Sequence, residues 1–139
     1  MKKKFKVNIN GQDYRVEIAK YEKYFDAFQS RAGWTDFSTK TIVVLDAEDY
    51  VQYEEPGRVL ESAGRVTERI LRHEIMHAFM YESGLDTETA FARDEILIDF
   101  LAIQLPKIVG VLDKHDLLGE RRNAKRVVKE PLEVKEPTT

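Results

Sequence analysis

The sequence predicts a domain of the α+β class, because short alternating segments come first and two long helical patterns follow. Residues 5–18 alternate apolar and polar side chains around a tight turn at Asn10-Gly11, which predicts an antiparallel hairpin. Thr41–Leu45 is a β-branched run that predicts a further strand. Two segments stay open: residues 21–31 fit a strand or a helix, and Gly33–Asp36 fits a turn or the start of a strand.

Two helices are expected after these strands. The first covers about residues 58–83 and stops at Gly84. The second covers roughly residues 89–112 and is apolar on most sides, so it should be buried, and Pro106 should kink it or end it. One stripe of the first helix, at steps of three and four residues, consists of Val59, Ala63, Val66, Ile70, His73, His77 and Met80.

Composition narrows the class of protein. The 139 residues suit one domain, which we place at residues 1–112, followed by a charged tail at 113–139 that should be mobile. A net charge of −3 gives no reason to expect binding to nucleic acid or to a membrane surface. The absence of cysteine excludes disulfides and thiolate metal sites. The lysine-rich start lacks a following apolar stretch, so we expect no signal peptide and a cytoplasmic location.

The first predicted helix contains the pattern H-E-x-x-H, from His73 through Glu74 to His77. Residues four apart lie on the same face of a helix, so the two imidazoles can reach one Zn²⁺ ion. Glu74 lies beside them and can take a proton from a water bound to the metal. The alternative is a core stripe in which the two histidines are simply hydrogen-bonded.

A catalytic zinc ion needs a third protein ligand, and without cysteine a carboxylate is the natural candidate. Glu95 follows Gly84 in the second predicted helix, and two antiparallel helices would bring it opposite the histidines. Apolar neighbours surround it, so we expect the carboxylate to face inward. Asp99 lies one turn later on the same face and can accept the free N–H of a ligand histidine. For both acids the alternative is a charge exposed to solvent.

The H-E-x-x-H pattern, followed by the E-x-x-x-D stretch from Glu95 to Asp99, resembles the gluzincin family of zinc metallopeptidases. The resemblance covers about residues 33–108. In size the chain resembles the minigluzincins, and residues 95–106 are similar to phage-encoded metallopeptidases of the ImmA/IrrE group. The resemblance implies a small zincin-like domain, in which the hairpin and an edge strand pack on an active-site helix and a second buried helix. It assigns Thr41–Leu45 as the edge strand that pairs with a peptide substrate.

The resemblance also implies residue roles: Zn²⁺ bound by His73, His77 and Glu95, with Glu74 as the catalytic base and Asp99 orienting a ligand histidine. Larger gluzincins carry a separate His or Tyr that stabilises the oxyanion, and this chain has no obvious equivalent. His115 and Tyr81 are the candidates. Their alternatives are a solvated histidine and a core aromatic residue.

The expected function is zinc-dependent hydrolysis of bonds in a peptide or protein substrate. Two other functions stay open: a regulatory phage-type protease acting on a specific partner, and a non-catalytic interaction domain stabilised by zinc. Minigluzincins can be held latent by their own C-terminal segment. Here an autoinhibitory tail could act through His115 or Asp116 at the metal, or through Val127-Val128 at Thr41–Leu45. The alternative is a tail that makes no such contact.

Overall fold

The structure is a computed structural model and describes residues 1–119 of the chain. The chain divides into two compact units, one of residues 1–107 and one that begins at Ile108. The first unit holds a four-stranded sheet and most of the helices, so the expectation of a mixed α/β domain is confirmed. The boundary after residue 112 stays a prediction.

The strands form one mixed sheet in the order β1-β2-β4-β3. They are β1 (Lys4–Ile9), β2 (Gln12–Ala19), β3 (Gly33–Asp36) and β4 (Thr41–Leu45). The predicted hairpin is confirmed as the antiparallel pair β1 and β2, and both residues of its turn, Asn10 and Gly11, have positive φ. β4 pairs parallel with β2 and antiparallel with β3.

The prediction that Thr41–Leu45 is the edge strand is wrong. This strand lies inside the sheet with a hydrogen-bonded neighbour on each side, and Ile42 and Val44 are completely buried. Its apolar run is typical of a strand covered on both faces, which the sequence pattern alone does not distinguish from an edge. The edge beside it is β3, so a segment near Val127-Val128 could not add to β4; those two residues lie outside the described part of the chain.

The helices are α1 (Phe25–Phe28), α2 (Ala47–Glu54), α3 (Ala63–Glu82), α4 (Leu85–Glu88) and α5 (Glu95–Lys114), and single 3-10 turns cover Tyr21–Tyr24 and Phe91–Arg93. The ambiguous residues 21–31 are therefore mostly helical turns. The sequence reasoning did not predict α2, although Asp46 caps it by accepting hydrogen bonds from the amides of Glu48 and Asp49. The first long helix begins five residues later than the predicted start at 58 (63 − 58).

The buried face of α3 differs from the predicted stripe. Its buried residues are Ala63, Thr67, Leu71, Glu74 and Ala78. Val59 lies outside the helix and is exposed, while His73 and His77 are half-buried beside the packed face. Ala63 belongs to both sets, and after it each buried position lies one residue later than a predicted one. The histidines consequently face a cleft.

Both faces of the sheet are covered. One core joins strand residues to α3 and consists of Ile9, Tyr14, Val16, Ile18, Ile42, Val44, Leu71 and Ala78. The other lies on the opposite face and consists of Ala19, Tyr21, Phe28, Val43 and Leu45. Because side chains alternate along a strand, β3 directs Thr35 towards α3 and Trp34 towards the second core.

The C-terminal end of α3 is tied to the sheet through Glu82. The hydroxyl of Tyr14 donates to the Glu82 carboxylate at 2.7 Å, and Lys40 forms an ion pair with the same oxygen. The Lys40 ammonium and the Tyr14 hydroxyl lower the pKa of Glu82 below its usual value, while burial raises the pKa of Tyr14. These contacts fix the last turns of α3 against β2 and the loop before β4.

The expectation that the second helix is buried is wrong. The structure describes α5 throughout, and its only buried residues are Ile98 and Ala102. Ile96 is 81% exposed and Phe100 54%. The apolar composition of α5 did not show that most of its side chains lie outside the core. None of the helices in residues 1–119 is long and apolar enough to cross a membrane.

Pro106 does not end α5, which continues to Lys114. A proline has no N–H, so the carbonyl four residues earlier, that of Ala102, loses its partner within the helix. Arg72 of α3 supplies a replacement, because its Nε donates to that carbonyl at 2.8 Å. Because of Pro106, the carbonyl oxygen of Ala102 is available to accept the hydrogen bond that links α5 to α3.

Gly33→Ala should destabilise the domain by about 1–3 kcal/mol, the usual cost of overpacking. A Cβ atom at Gly33 would lie 2.9 Å from Cγ2 of Ile70 on α3 and 3.1 Å from the carbonyl oxygen of Val43. Gly110→Ala is the matched control, since the added atom meets nothing within 4 Å among the described residues. Urea denaturation of both variants checks this. A stability of Gly33→Ala equal to wild type would show that β3 and α3 do not pack this closely.

Candidate metal centre

A cleft of about 650 Å³ lies between β3, α3 and the first turns of α5. The H-E-x-x-H residues of α3 line one side of it. Glu95 and Asp99 of α5 line another, and Gly33, Trp34 and Thr35 of β3 a third. The structure therefore brings all five residues singled out in the two motifs to one place.

Three ligand-type atoms converge in this cleft. The Nε2 atoms of His73 and His77 are 3.0 Å apart. The carboxylate oxygens of Glu95 lie 3.0 Å from Nε2 of His73 and 3.2 Å from Nε2 of His77. All three side chains can offer ligand atoms within 4.8 Å of one another, a group that could hold a metal ion.

Asp99 fixes the protonation pattern of this group. Its Oδ1 lies 2.7 Å from Nδ1 of His73, so that nitrogen carries the proton and donates it. In the neutral form of His73, the lone pair on Nε2 is directed at the Glu95 carboxylate. Two acceptors at 3.0 Å repel each other unless a proton or a metal cation lies between them. The donor set therefore fits a metal ion coordinated by two imidazoles and one carboxylate.

The expected burial of the two acids is not observed. The side chains of Glu95 and Asp99 are each 66% exposed. α5 begins at Glu95, so the acids occupy its open first turns beside the cleft. The desolvation argument for Glu95 therefore fails, and its case as a ligand rests on the distances to His73 and His77.

Glu74 is buried at 7% exposure and faces the sheet. Its Oε2 accepts a hydrogen bond of 2.7 Å from the hydroxyl of Thr35 on β3. Sequence reasoning missed Thr35, because it left Gly33–Asp36 open between a turn and a strand. Only the register of β3 against α3 reveals that this side chain meets Glu74.

Backbone groups of β3 also border the cleft. The amide of Leu45 donates to the carbonyl of Ala32 at 2.8 Å, which makes these two residues a hydrogen-bonded antiparallel pair. Alternate residues of an antiparallel strand point their backbone groups to opposite sides. The N–H and C=O groups of Gly33 and Thr35 therefore face away from β4, along an edge of the sheet with which no strand of residues 1–119 pairs.

Of the two candidates for an oxyanion group, Tyr81 does not line the cleft within the described part of the chain. The ring of Tyr81 stacks on Phe37 with centroids 4.3 Å apart, and Lys40 lies 4.9 Å from its centre. Among the described residues that line the cleft, Phe37 is present and Tyr81 is not. His115 is exposed in the second unit, just after the end of α5. Both assignments stay predictions, as does the autoinhibitory tail.

The remaining walls of the cleft are apolar or basic. They are formed by Arg31, Ala32, Phe37, Arg69, Ile70 and Ile103.

Comparison of the chain with protein-family models, with curated proteins and with solved structures found no match. Functional inference therefore rests on the side chains and backbone groups of the cleft.

Glu95→Ala should weaken zinc binding by more than the roughly 100-fold that marks the loss of an outer partner. The reason is that Glu95 is the only carboxylate whose oxygens approach both Nε2 atoms in the described chain. Wild type should bind one Zn²⁺ per chain. Glu88→Ala, at an exposed acid of α4, is the control. Elemental analysis and competition with a chelator measure both, and an unchanged affinity in Glu95→Ala would remove Glu95 from the ligand set.

Asp99→Ala should weaken zinc binding by about 10- to 100-fold without abolishing it, because the Nδ1–H of His73 loses its acceptor. The zinc affinity of Asp99→Asn should lie between those of Asp99→Ala and wild type, since the amide oxygen can still accept the hydrogen bond. The same chelator competition ranks the three proteins. If all three bind zinc equally, Asp99 is an ordinary surface acid.

Proposed function

We propose that the protein is a zinc-dependent peptidase of the gluzincin type, which cleaves peptide bonds in the cleft between β3 and α3. The observation that carries this proposal is the convergence of two histidine nitrogens and one carboxylate within 3.2 Å, beside a buried glutamate. Imidazole and carboxylate ligands suit Zn²⁺, and three protein ligands leave one position open, as catalytic zinc sites require.

Zn²⁺ bound by His73, His77 and Glu95 would supply a Lewis acid that polarises the substrate carbonyl and lowers the pKa of a water molecule to about 7. Glu74 is the residue that can receive the proton. Its Oε2 is occupied by the hydroxyl of Thr35, whereas its Oε1 has no hydrogen-bond partner within residues 1–119. Oε1 therefore accepts the proton from water and passes it to the leaving amine.

The edge of β3 that faces away from β4, unpaired among the described residues, suits an extended peptide. The outward N–H and C=O groups of Gly33 and Thr35 can pair with a substrate backbone, as an added strand does at an exposed sheet edge. Such pairing would lay the peptide along the cleft, beside the metal group and Glu74. In this proposal β3 takes the substrate-binding role that the family resemblance had assigned to β4. The cleft volume of about 650 Å³ is within the usual range for ligand sites.

Glu74 favours a peptidase over a non-catalytic zinc domain. A domain that used zinc only for stability would need the two histidines and Glu95, and would gain nothing from a buried carboxylate next to them. Burying a carboxylate is costly unless it is hydrogen-bonded. The Thr35–Glu74 hydrogen bond offsets that cost and leaves one oxygen for chemistry.

Glu74→Gln should retain zinc and the fold but lower the rate of peptide hydrolysis by about 10²- to 10⁴-fold, the usual contribution of a positioned general base. The amide keeps an oxygen for Thr35 and cannot accept the proton. Glu68→Gln, an exposed residue of the same helix that does not line the cleft, is the control. Cleavage of a mixed peptide library, followed by mass spectrometry, measures the rates. Hydrolysis by Glu74→Gln at the wild-type rate would refute the mechanism.

Thr35→Val should lower kcat by about 10-fold or more, because a hydrogen bond to a charged group contributes roughly 1.5–3 kcal/mol. Valine keeps the β-branched shape, so the strand should persist. Thr35→Ser restores a hydroxyl and should restore most of kcat. Zinc affinity and KM should stay close to wild type in both variants. Thr35→Val should also lose about 1–3 kcal/mol of stability, because the buried Glu74 carboxylate loses its donor, and Thr35→Ser should recover it. A loss of kcat that Ser fails to rescue would show a packing role instead.

A further inference from the structure

Two arginines line the same cleft as the metal group. Arg31 precedes β3, and Arg69 lies on α3 one turn before His73. The guanidinium of Arg31 lies over the ring of Trp34, with 4.9 Å between its central carbon and the ring centroid. Within residues 1–119 neither arginine forms a hydrogen bond or an ion pair, whereas Arg58 is paired with a carboxylate. Both arginines therefore line the cleft without an ion-pair partner among the described residues.

Both arginines lie at one end of the cleft. Gly33 packs against Ile70, and Thr35, two residues later, contacts Glu74, one turn later. β3 and α3 consequently run in the same direction along the cleft. Arg31 precedes Gly33 as Arg69 precedes Ile70, so the backbones of the two arginines lie at the same end of the cleft.

Charge divides this cleft along its length. Glu74, Glu95 and Asp99 line the cleft together with the two histidines, and the arginines precede this group along the shared direction of β3 and α3. A guanidinium binds a carboxylate through two parallel hydrogen bonds, which makes arginine selective for that group. The stacking of Arg31 on Trp34 restrains its planar head, so less conformational entropy is lost when a carboxylate binds.

We propose that Arg31 and Arg69 bind a carboxylate of the substrate, so that the cleft selects acidic peptides. This inference rests on the proposed peptidase function and names its substrate class. The carboxylate belongs to an Asp or Glu side chain or to the free C-terminus of the peptide. Both sources present the same group to the two guanidinium heads.

The direction of the peptide sets the position of the acid. An antiparallel pair is slightly more stable per residue than a parallel one, so the substrate should run opposite to β3. Its C-terminal side then lies towards Arg31. Arg69 is four residues from His73, a rise of roughly 6 Å along the helix. This corresponds to about two residues of an extended chain, which places the acid about two residues after the cleaved bond.

Binding can be measured apart from cleavage. Trp34 is the single tryptophan of the chain and lines the cleft, so its fluorescence reports occupancy. Zinc-loaded Glu74→Gln would be titrated with a short N-acetylated peptide of Ala, Val and Leu that contains one Glu, and with its Gln counterpart. Each peptide is used with a free and with an amidated C-terminus. A carboxylate should improve affinity by about 10-fold, the gain expected of a charged hydrogen bond at a partly exposed site.

The arginine variants test the assignment. When Arg31→Gln and Arg69→Gln are added to the Glu74→Gln protein, the preference for a carboxylate should disappear. The affinity for the neutral amidated peptide should stay unchanged. Arg65→Gln, at an exposed arginine of α3 that does not line the cleft, should keep the preference. A preference that follows Glu identifies a side-chain carboxylate, and one that follows the free end identifies the terminus.

Two results would overturn the inference: equal affinity for all four peptides, or a carboxylate preference that survives in the double arginine variant. Failure of the peptidase proposal would be seen separately, because it is measured by cleavage with the wild-type enzyme. A protein that cleaves neutral and acidic peptides equally well would retain the proposed function and lose the proposed selectivity.

Discussion

The close approach of α3 to β3 is the constraint on which the site depends. Gly33 has no side chain, so Ile70 can pack against the strand backbone, and Thr35 meets the carboxylate of Glu74. Because Glu74 faces the sheet, the neighbouring residue His73 is rotated by about 100° around the helix. His77 follows one turn later, and both imidazoles therefore face the cleft. One packed contact thus separates the proposed base, Glu74, from the proposed metal ligands while keeping them adjacent.

The second constraint is the attachment of α5 to α3. The carbonyl of Ala102, which Pro106 leaves without a partner in its own helix, accepts a hydrogen bond from Arg72, the residue before His73. A residue that weakens α5 by itself therefore strengthens its link to the helix that carries the histidines. Since α5 buries few side chains, this bond and the carboxylate contacts of its first turns set where those acids lie. Metal binding and helix placement should then stabilise each other.

Local patterns predicted the hairpin, β4, the two long helices and the motif residues, because each depends on spacing within one segment. The wrong predictions concern which other elements pack or pair with a segment. The run Thr41–Leu45 predicted a strand but not its two neighbours, and the apolar composition of α5 did not show that only Ile98 and Ala102 are buried. Thr35 and Arg31 gave no local signal, since their positions in the cleft depend on the pairing of β3 with distant residues.

The central claim is that two imidazoles and one carboxylate hold a zinc ion at the cleft. X-ray absorption at the zinc edge of protein loaded with one equivalent of metal tests this claim most directly. The account predicts the multiple-scattering pattern of two imidazoles, with nitrogen and oxygen ligands at about 2.0–2.2 Å and no sulfur. The pattern should fall to one imidazole in His77→Ala. A spectrum of oxygen ligands alone, or one unchanged by that substitution, would contradict it.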